Sequence, residues 1–142
     1  MPTGDVTAVK PEPVRQDGDV LDGPFNVRQL LRIDEALTAA DRETGLTFSV
    51  YVGPLHEPVS GAARGMHDRL ADPANSVLVA VSPGQRKLEI VTGELSAKRI
   101  PDRSAALAAL SMTAAFGGGD LTRGIVDGLR MLADQAGPPA ED

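Results

Sequence analysis

The sequence contains no cysteine and no tryptophan among its 142 residues, and aromatic residues make up 3% of the chain. The lack of cysteine excludes disulfide bonds, thiolate metal sites and cysteine nucleophiles, and it is compatible with both oxidising and reducing compartments. Because aromatic side chains are so few, the core must be built mainly from valine, leucine, isoleucine and alanine. A chain of this length can bury enough apolar surface to fold as one domain without covalent crosslinks.

Clustered positive charge and long apolar runs are also missing. The net charge is −6, whereas binding a nucleic acid backbone requires clustered lysine and arginine, so we expect no nucleic acid partner. Apolar runs such as residues 77–81 are far shorter than the roughly 20 residues of a membrane-spanning helix. The first residues lack the basic start and apolar stretch of an export signal, so we expect no membrane span and a cytoplasmic location.

The apolar pattern divides the chain into three parts. Residues 1–23 are rich in proline, glycine and acidic residues without apolar periodicity, and we predict a disordered arm there. Residues 24–136 have the periodic pattern of a folded α/β domain, and residues 137–142 are predicted to be a flexible tail. The domain is expected to begin with a helix, because Asn26 and Gln29 have the spacing of a capping box and Gly45 is placed to end that helix.

Three strands are predicted from the apolar pattern. Residues 47–52 alternate with period two, and residues 77–81 are apolar on both faces, as in a central strand covered by helices. A short helix between them, predicted to be capped by Ser60, implies a parallel pair with a right-handed crossover. Pro83 and Gly84 are predicted to form the middle of a type II turn, after which an antiparallel third strand returns.

Two further helices are predicted after the sheet, with Asp102 and Asp120 as their N-caps and glycines 117–119 between them. Gly124 and Gly128 lie on the inner stripe of the last helix, where the missing side chains would let a neighbour approach closely. The expected architecture is therefore an α/β/α layered sandwich with a small mixed sheet.

Four segments resemble the TPM domain family in their order and spacing. They are FSVYVGPL from Phe48, SVLVAVSPGQRKLEIVTGE from Ser76, RIPDRSAALAALSMTAAF from Arg99 and GGGDLTRGIVDGLRML from Gly117. The chain looks most like an uncharacterised actinobacterial branch of that family. The resemblance implies the same α/β/α fold. Some members of the family are phosphatases and bind calcium, and others act as interaction modules.

The resemblance points to Asp102 and Asp120 as candidate ligands of a hard cation such as calcium. The alternative is that both are only helix N-caps. A helix of about a dozen residues would hold them roughly 18 Å apart, so one cation should not contact both. The strand order places His56, Glu57 and Asp120 at the carboxyl edge of the sheet, where open α/β sheets bind ligands.

The two histidines are weak indications of a catalytic or metal-binding site. His56 beside Glu57 could act as a base or a metal ligand, but adjacent residues in an extended loop point apart, which favours a solvated surface pair. His67 has no second histidine at helical spacing, and we predict that it lies on the surface. The glycines at 117–119 offer main-chain amides for an anion, although the Lys-Ser/Thr pair of a P-loop is missing.

Motifs of catalysis are missing from the sequence, including the Gly-x-Ser-x-Gly elbow, the His-Glu-x-x-His pair and the dinucleotide fingerprint. The sequence therefore favours a non-catalytic module that binds a ligand or an unidentified protein partner. The alternative is a divalent-cation-dependent phosphatase that uses Asp102 and Asp120.

Overall fold

The computed structural model describes residues 24–139 of the chain. The helices are α1 (Val27–Thr44), α2 (Val59–Asp68), α3 (Ser96–Arg99), α4 (Asp102–Gly117) and α5 (Leu121–Ala136), and the strands are β1 (Thr47–Val52), β2 (Ser76–Ser82) and β3 (Lys87–Thr92). The predicted arm at residues 1–23 and residues 140–142 of the predicted tail lie outside the described residues.

Helix α1 begins and ends where its local signals predict. The Asn26 side chain accepts from the Gln29 amide at 2.8 Å, and the Gln29 side chain accepts from the Asn26 amide at 2.9 Å. This reciprocal pair is a complete capping box. At the other end Gly45 adopts the left-handed conformation with φ 80°, which glycine reaches without a steric cost.

The sheet has the order β1-β2-β3, with β2 in the centre. Strands β1 and β2 are parallel and β2 and β3 are antiparallel, so the sheet is mixed as predicted. Every residue of β2 is buried. The strand therefore needs cover on both faces, which explains why its sequence is apolar throughout rather than alternating.

The two faces of the sheet carry separate apolar cores. The larger core joins α1, α4 and α5 to one face, where Phe48, Val77 and Val79 are fully buried. The smaller core joins α2 to the other face, where Ala63 packs with Leu78 and its neighbours. The described residues form an α/β/α sandwich in which the long helices α1, α4 and α5 cover one side of a small mixed sheet and α2 covers the other, which confirms the predicted fold class.

Helices α4 and α5 pack closely because glycines replace side chains at their contact. A Cβ atom at Gly128 would lie 2.3 Å from the sulfur of Met112, and one at Gly124 would lie 2.6 Å from the ring of Phe116. Met112 is completely buried. The predicted role of the two glycines in helix packing is confirmed.

Several predicted helix starts and turns are wrong in detail. Pro58, not Ser60, is the N-cap of α2, and Pro101, not Asp102, is the N-cap of α4. Prolines suit these positions because their fixed φ is compatible with the start of a helix. The hairpin turn is a 3₁₀ turn over Pro83–Gln85 followed by Arg86 in the left-handed region, so the predicted type II turn is also wrong.

Candidate functional site

The carboxyl edge of the sheet is held together by the side chain of Gln85. Its Oε1 accepts from the Leu55 amide at 2.8 Å and from the Ser82 hydroxyl, and its Nε2 donates to the Leu55 carbonyl at 3.0 Å. Nε2 also donates to Oε2 of Glu57 at 3.2 Å. One amide side chain thus fixes the loop after β1 to the corner of the β2–β3 hairpin.

A groove of about 790 Å³ opens at this edge, between the hairpin corner and the corner where α4 meets α5. Its lining combines the ends of β2 and β3 with one face of α4 and the start of α5: Val81, Ser82, Pro83, Arg86, Lys87, Leu88, Ala109, Thr113, Phe116, Gly117, Gly119 and Leu121. Its position agrees with the rule that open α/β sheets bind ligands beyond the carboxyl ends of parallel strands.

The lining of the groove is mostly apolar and carries charge of one sign. Arg86 and Lys87 lie at the hairpin corner and are exposed, and the lining contains no aspartate or glutamate. Leu88, Phe116 and Leu121 are half-buried extensions of the larger core. Apolar walls with a few polar groups are the usual composition of a ligand site.

Three predicted ligand-binding residues lie around this edge with different partners. Glu57 is exposed and accepts from Gln85, and His56 beside it is exposed. Asp120 accepts from the Arg123 amide at 3.0 Å and so is the N-cap of α5, as predicted. None of the three belongs to the groove lining.

The two candidate metal ligands are separated by the length of α4. Asp102 is its first residue, and Asp120 follows the corner after its last residue. A helix of 16 residues is about 24 Å long. Within residues 24–139 no three His, Cys, Asp or Glu side chains come together in a group that could hold a metal ion.

The main-chain amides of the glycine corner are already used within the protein. The amides of Gly118, Gly119 and Asp120 donate to carbonyls in the last turns of α4 at 2.9 to 3.2 Å. An anion could not take these donors without breaking the end of that helix. These hydrogen bonds argue against an anion site at the glycine corner, for which the sequence contained only a weak signal.

A buried polar cluster at the opposite edge of the sheet was missed. His67 is 1% exposed and its Nε2 lies 3.0 Å from the Ser76 carbonyl, which also accepts from the Ser96 hydroxyl at 2.9 Å. The prediction that His67 lies on the surface is wrong. The available signal was the four-residue spacing of Val59, Ala63 and His67, which places all three on the buried face of α2.

Residues beyond α5 contact the body of the domain. Nη2 of Arg99 lies 2.7 Å from the Gly137 carbonyl and 3.1 Å from the Pro138 carbonyl, and both atoms accept its hydrogen bonds. These contacts secure the start of the segment predicted to be a tail. Among the described helices, none is both long enough and apolar enough to cross a membrane.

The fold and the groove define a small α/β/α domain with a candidate ligand site at the carboxyl edge of its sheet. Residues 2–133 match the model of a family described as a domain of unknown function, DUF5130. The chain belongs to this family. It is 32% identical over 115 residues to the uncharacterized protein Rv2468c of Mycobacterium tuberculosis, and the match covers 81% of this chain and 69% of that protein.

Solved structures with the same fold come from several bacteria. The BA42 protein of Bizionia argentinensis is 16% identical with a TM-score of 0.72, and the match covers 83% of this chain and 87% of that one. The N-terminal domain of the cg2496 protein of Corynebacterium glutamicum is 13% identical with a TM-score of 0.66, and the match covers 84% and 82%. At these identities the similarity concerns the fold alone.

Proposed function

We propose that this chain is a TPM-like, non-catalytic binding module whose ligand or protein partner occupies the groove at the carboxyl edge of the sheet. The observation that carries the proposal is the groove itself, with apolar walls that continue from the core and two cations at its rim. The order of helices and strands agrees with the α/β/α fold that the TPM resemblance implies. A cytoplasmic location remains a prediction.

The polar side chains around the groove support binding rather than chemistry. Gln85 forms four hydrogen bonds that fix a loop to the hairpin, and Asp120 caps α5. Gln85 is a neutral amide and cannot act as a general base, and the hydrogen bond to the Arg123 amide gives the Asp120 carboxylate a structural role. The alternative of a divalent-cation-dependent phosphatase would have to use Asp102 and Asp120 at different ends of α4.

The experiment is a fragment screen followed by NMR shift mapping on the folded chain. Binders are first found by thermal shift, because a ligand at one hundred times its dissociation constant adds about 2.7 kcal/mol of stability. Calcium, magnesium and manganese are included as separate arms. We expect the fragments that bind to move the amide resonances of the groove lining.

Two alanines on α4 provide a matched pair of variants. Ala109 lines the groove, whereas Ala106 is exposed one turn earlier and is outside the lining. Ala109→Phe should fill the groove and abolish the shifts, and Ala106→Phe should leave them unchanged. Binding that survives Ala109→Phe, or metal-dependent hydrolysis of a phosphate ester that falls in Asp102→Ala or Asp120→Ala, would contradict the proposal.

A further inference from the structure

The charge at the groove is opposite in sign to that of the whole chain. The chain has a net charge of −6, with 20 acidic and 14 basic residues. The groove lining nevertheless contains Arg86 and Lys87 and no acidic residue. The two cations are adjacent at the end of a hairpin whose corner is fixed by Gln85. An anionic group at the groove rim would therefore meet charges of complementary sign.

The nearby carboxylates do not neutralise this pair of cations by direct contact in the described structure. Glu57 accepts from Gln85, and the oxygen of Asp120 accepts from the Arg123 amide. Arg123 itself pairs with Asp127 at 3.5 Å on the surface of α5. Neither Glu57 nor Asp120 forms an ion pair with Arg86 or Lys87 in the described part of the chain, so both cations remain available to an anionic ligand.

The remaining walls of the groove are suited to an apolar chain or ring. Val81, near the end of β2, is 1% exposed and lies at the bottom of the groove. Leu88, Phe116 and Leu121 are half-buried around it. Each methylene of a ligand that is buried there would strengthen binding because it leaves water. A volume of about 790 Å³ lies within the range of small-molecule sites, which is roughly 300 to 1,000 Å³.

We infer that the groove takes a small anionic amphiphile, whose apolar body packs on Leu88 and Phe116 and whose carboxylate or phosphate lies against Arg86 and Lys87. The inference rests on the proposed function and names the ligand class of the same groove. Carboxylates and phosphate monoesters share the required chemistry, since both present anionic oxygens to cationic side chains.

The test compares three probes that share one apolar chain: decanoate and decyl phosphate below their micelle concentrations, and decanol below its solubility limit. Binding is followed by NMR titration of the full chain. We expect both anions to move the groove resonances with dissociation constants on the order of threefold to tenfold lower than that of decanol, as for partly exposed ion pairs. The preference should shrink as salt is raised, because salt screens exposed charges.

The variant R86Q/K87Q removes the rim cations, and K98Q/R103Q removes two exposed cations near the other end of α4. We expect the first variant to bind both anions as weakly as decanol and the second to bind them as the parent chain does. Amide spectra of each variant verify that it is folded. The exposed apolar residues Val27 and Leu31 of α1 report non-specific binding, and their resonances should not move.

Equal affinity for decanol and the two anions, or anion binding unchanged in R86Q/K87Q, would overturn the inference and leave groove binding standing. The inference would also be overturned if the probes shifted the amide resonances of Val27 and Leu31 and left those of the groove lining unchanged. The fragment screen and the Ala109→Phe variant test the proposed function independently of these three probes. Tighter binding of decyl phosphate than of decanoate, or the reverse, supports the inference and identifies which anion the rim prefers.

Discussion

The main-chain carbonyl of Ser76 accepts from two buried side chains, His67 and Ser96. The second nitrogen of the His67 ring, Nδ1, is buried without a hydrogen-bond partner and lies 3.8 Å from the Asp68 carboxylate. A buried polar atom without a partner costs roughly 1 to 3 kcal/mol. His67 therefore contributes mainly the volume of its ring to the contact between α2 and β2.

Two substitutions at His67 separate its volume from its polarity. His67→Ala should lower the free energy of unfolding by about 2 to 4 kcal/mol, because it leaves a cavity. His67→Leu keeps much of the volume, removes the unpaired nitrogen and leaves Ser96 as donor to Ser76, so it should change stability by less than about 1 kcal/mol. Urea unfolding measures both, and equal losses would show that the hydrogen bond of His67 dominates.

Position 93 requires glycine because neighbouring atoms leave no room for a side chain, and not because of its backbone angles. A Cβ atom there would lie 1.9 Å from the Pro73 carbonyl oxygen, which belongs to the main chain and cannot rotate away. We expect Gly93→Ala to destabilise the fold by about 2 to 3 kcal/mol through overpacking. Gly84→Ala is the control, since a Cβ atom at Gly84 would have no neighbour within 4 Å. Similar melting temperatures for the two variants would contradict this account.

At the scale of single helices, α4 and α5 begin differently although each has an aspartate at its start. Asp120 accepts a hydrogen bond from the third amide of α5, whereas Asp102 lies inside the first turn of α4 and forms no cap. Asp120→Ala should therefore cost about 1 kcal/mol. Asp102→Ala loses only a favourable charge near the helix dipole, roughly 0.3 to 1 kcal/mol at most.

Thermal unfolding of the two aspartate variants with and without calcium checks this prediction and the metal-site hypothesis together. Without calcium, the melting temperature of Asp120→Ala should fall further than that of Asp102→Ala. Calcium that stabilises the parent chain but neither variant would mean that both carboxylates serve one binding event, against their separation by α4.

The elements that could be predicted from the sequence are those whose signals are local. The capping box at Asn26, the left-handed Gly45 and the apolar run of β2 each depend on a few neighbouring residues. The starts of α2 and α4 were misplaced by one or two residues because proline, as well as serine or aspartate, can precede a helix.

The groove and the buried His67 could not be predicted in the same way. Each depends on which helix face meets the sheet, and that is decided by contacts between residues far apart in the chain. Arg86 and Leu88 belong to the hairpin, but Phe116 and Leu121 reach the same groove from the α4–α5 corner. The strand order was predicted correctly from the sequence, because it follows from the crossover between β1 and β2 and from the hairpin between β2 and β3.

At the scale of the whole molecule, the two faces of the sheet are covered unequally. Helix α2 alone covers one face over a small apolar cluster, whereas α1, α4 and α5 cover the other. Local opening has a lower free energy where fewer buried apolar contacts are lost. We expect the amide hydrogens of α2 to exchange through a smaller opening free energy than those of β2 and α5.

Native-state hydrogen exchange by NMR measures this difference residue by residue. The amides of β2 should be among the slowest, because that strand is buried along its whole length. Helix α1, which packs in the larger core, is the internal control for a helix that opens only with the rest of the fold. Equal opening free energies for α2 and β2 would contradict the prediction.

The alternation of side chains along β2 has a consequence for how the protein can evolve. Val77 and Val79 belong to one core, and Leu78 and Ala80 belong to the other. Since successive side chains point to opposite faces of the sheet, substitutions in the two cores that lie more than about 10 Å apart should combine with nearly additive energies. Descendants of this chain can therefore reshape the side that adjoins the groove while inheriting the α2 side unchanged.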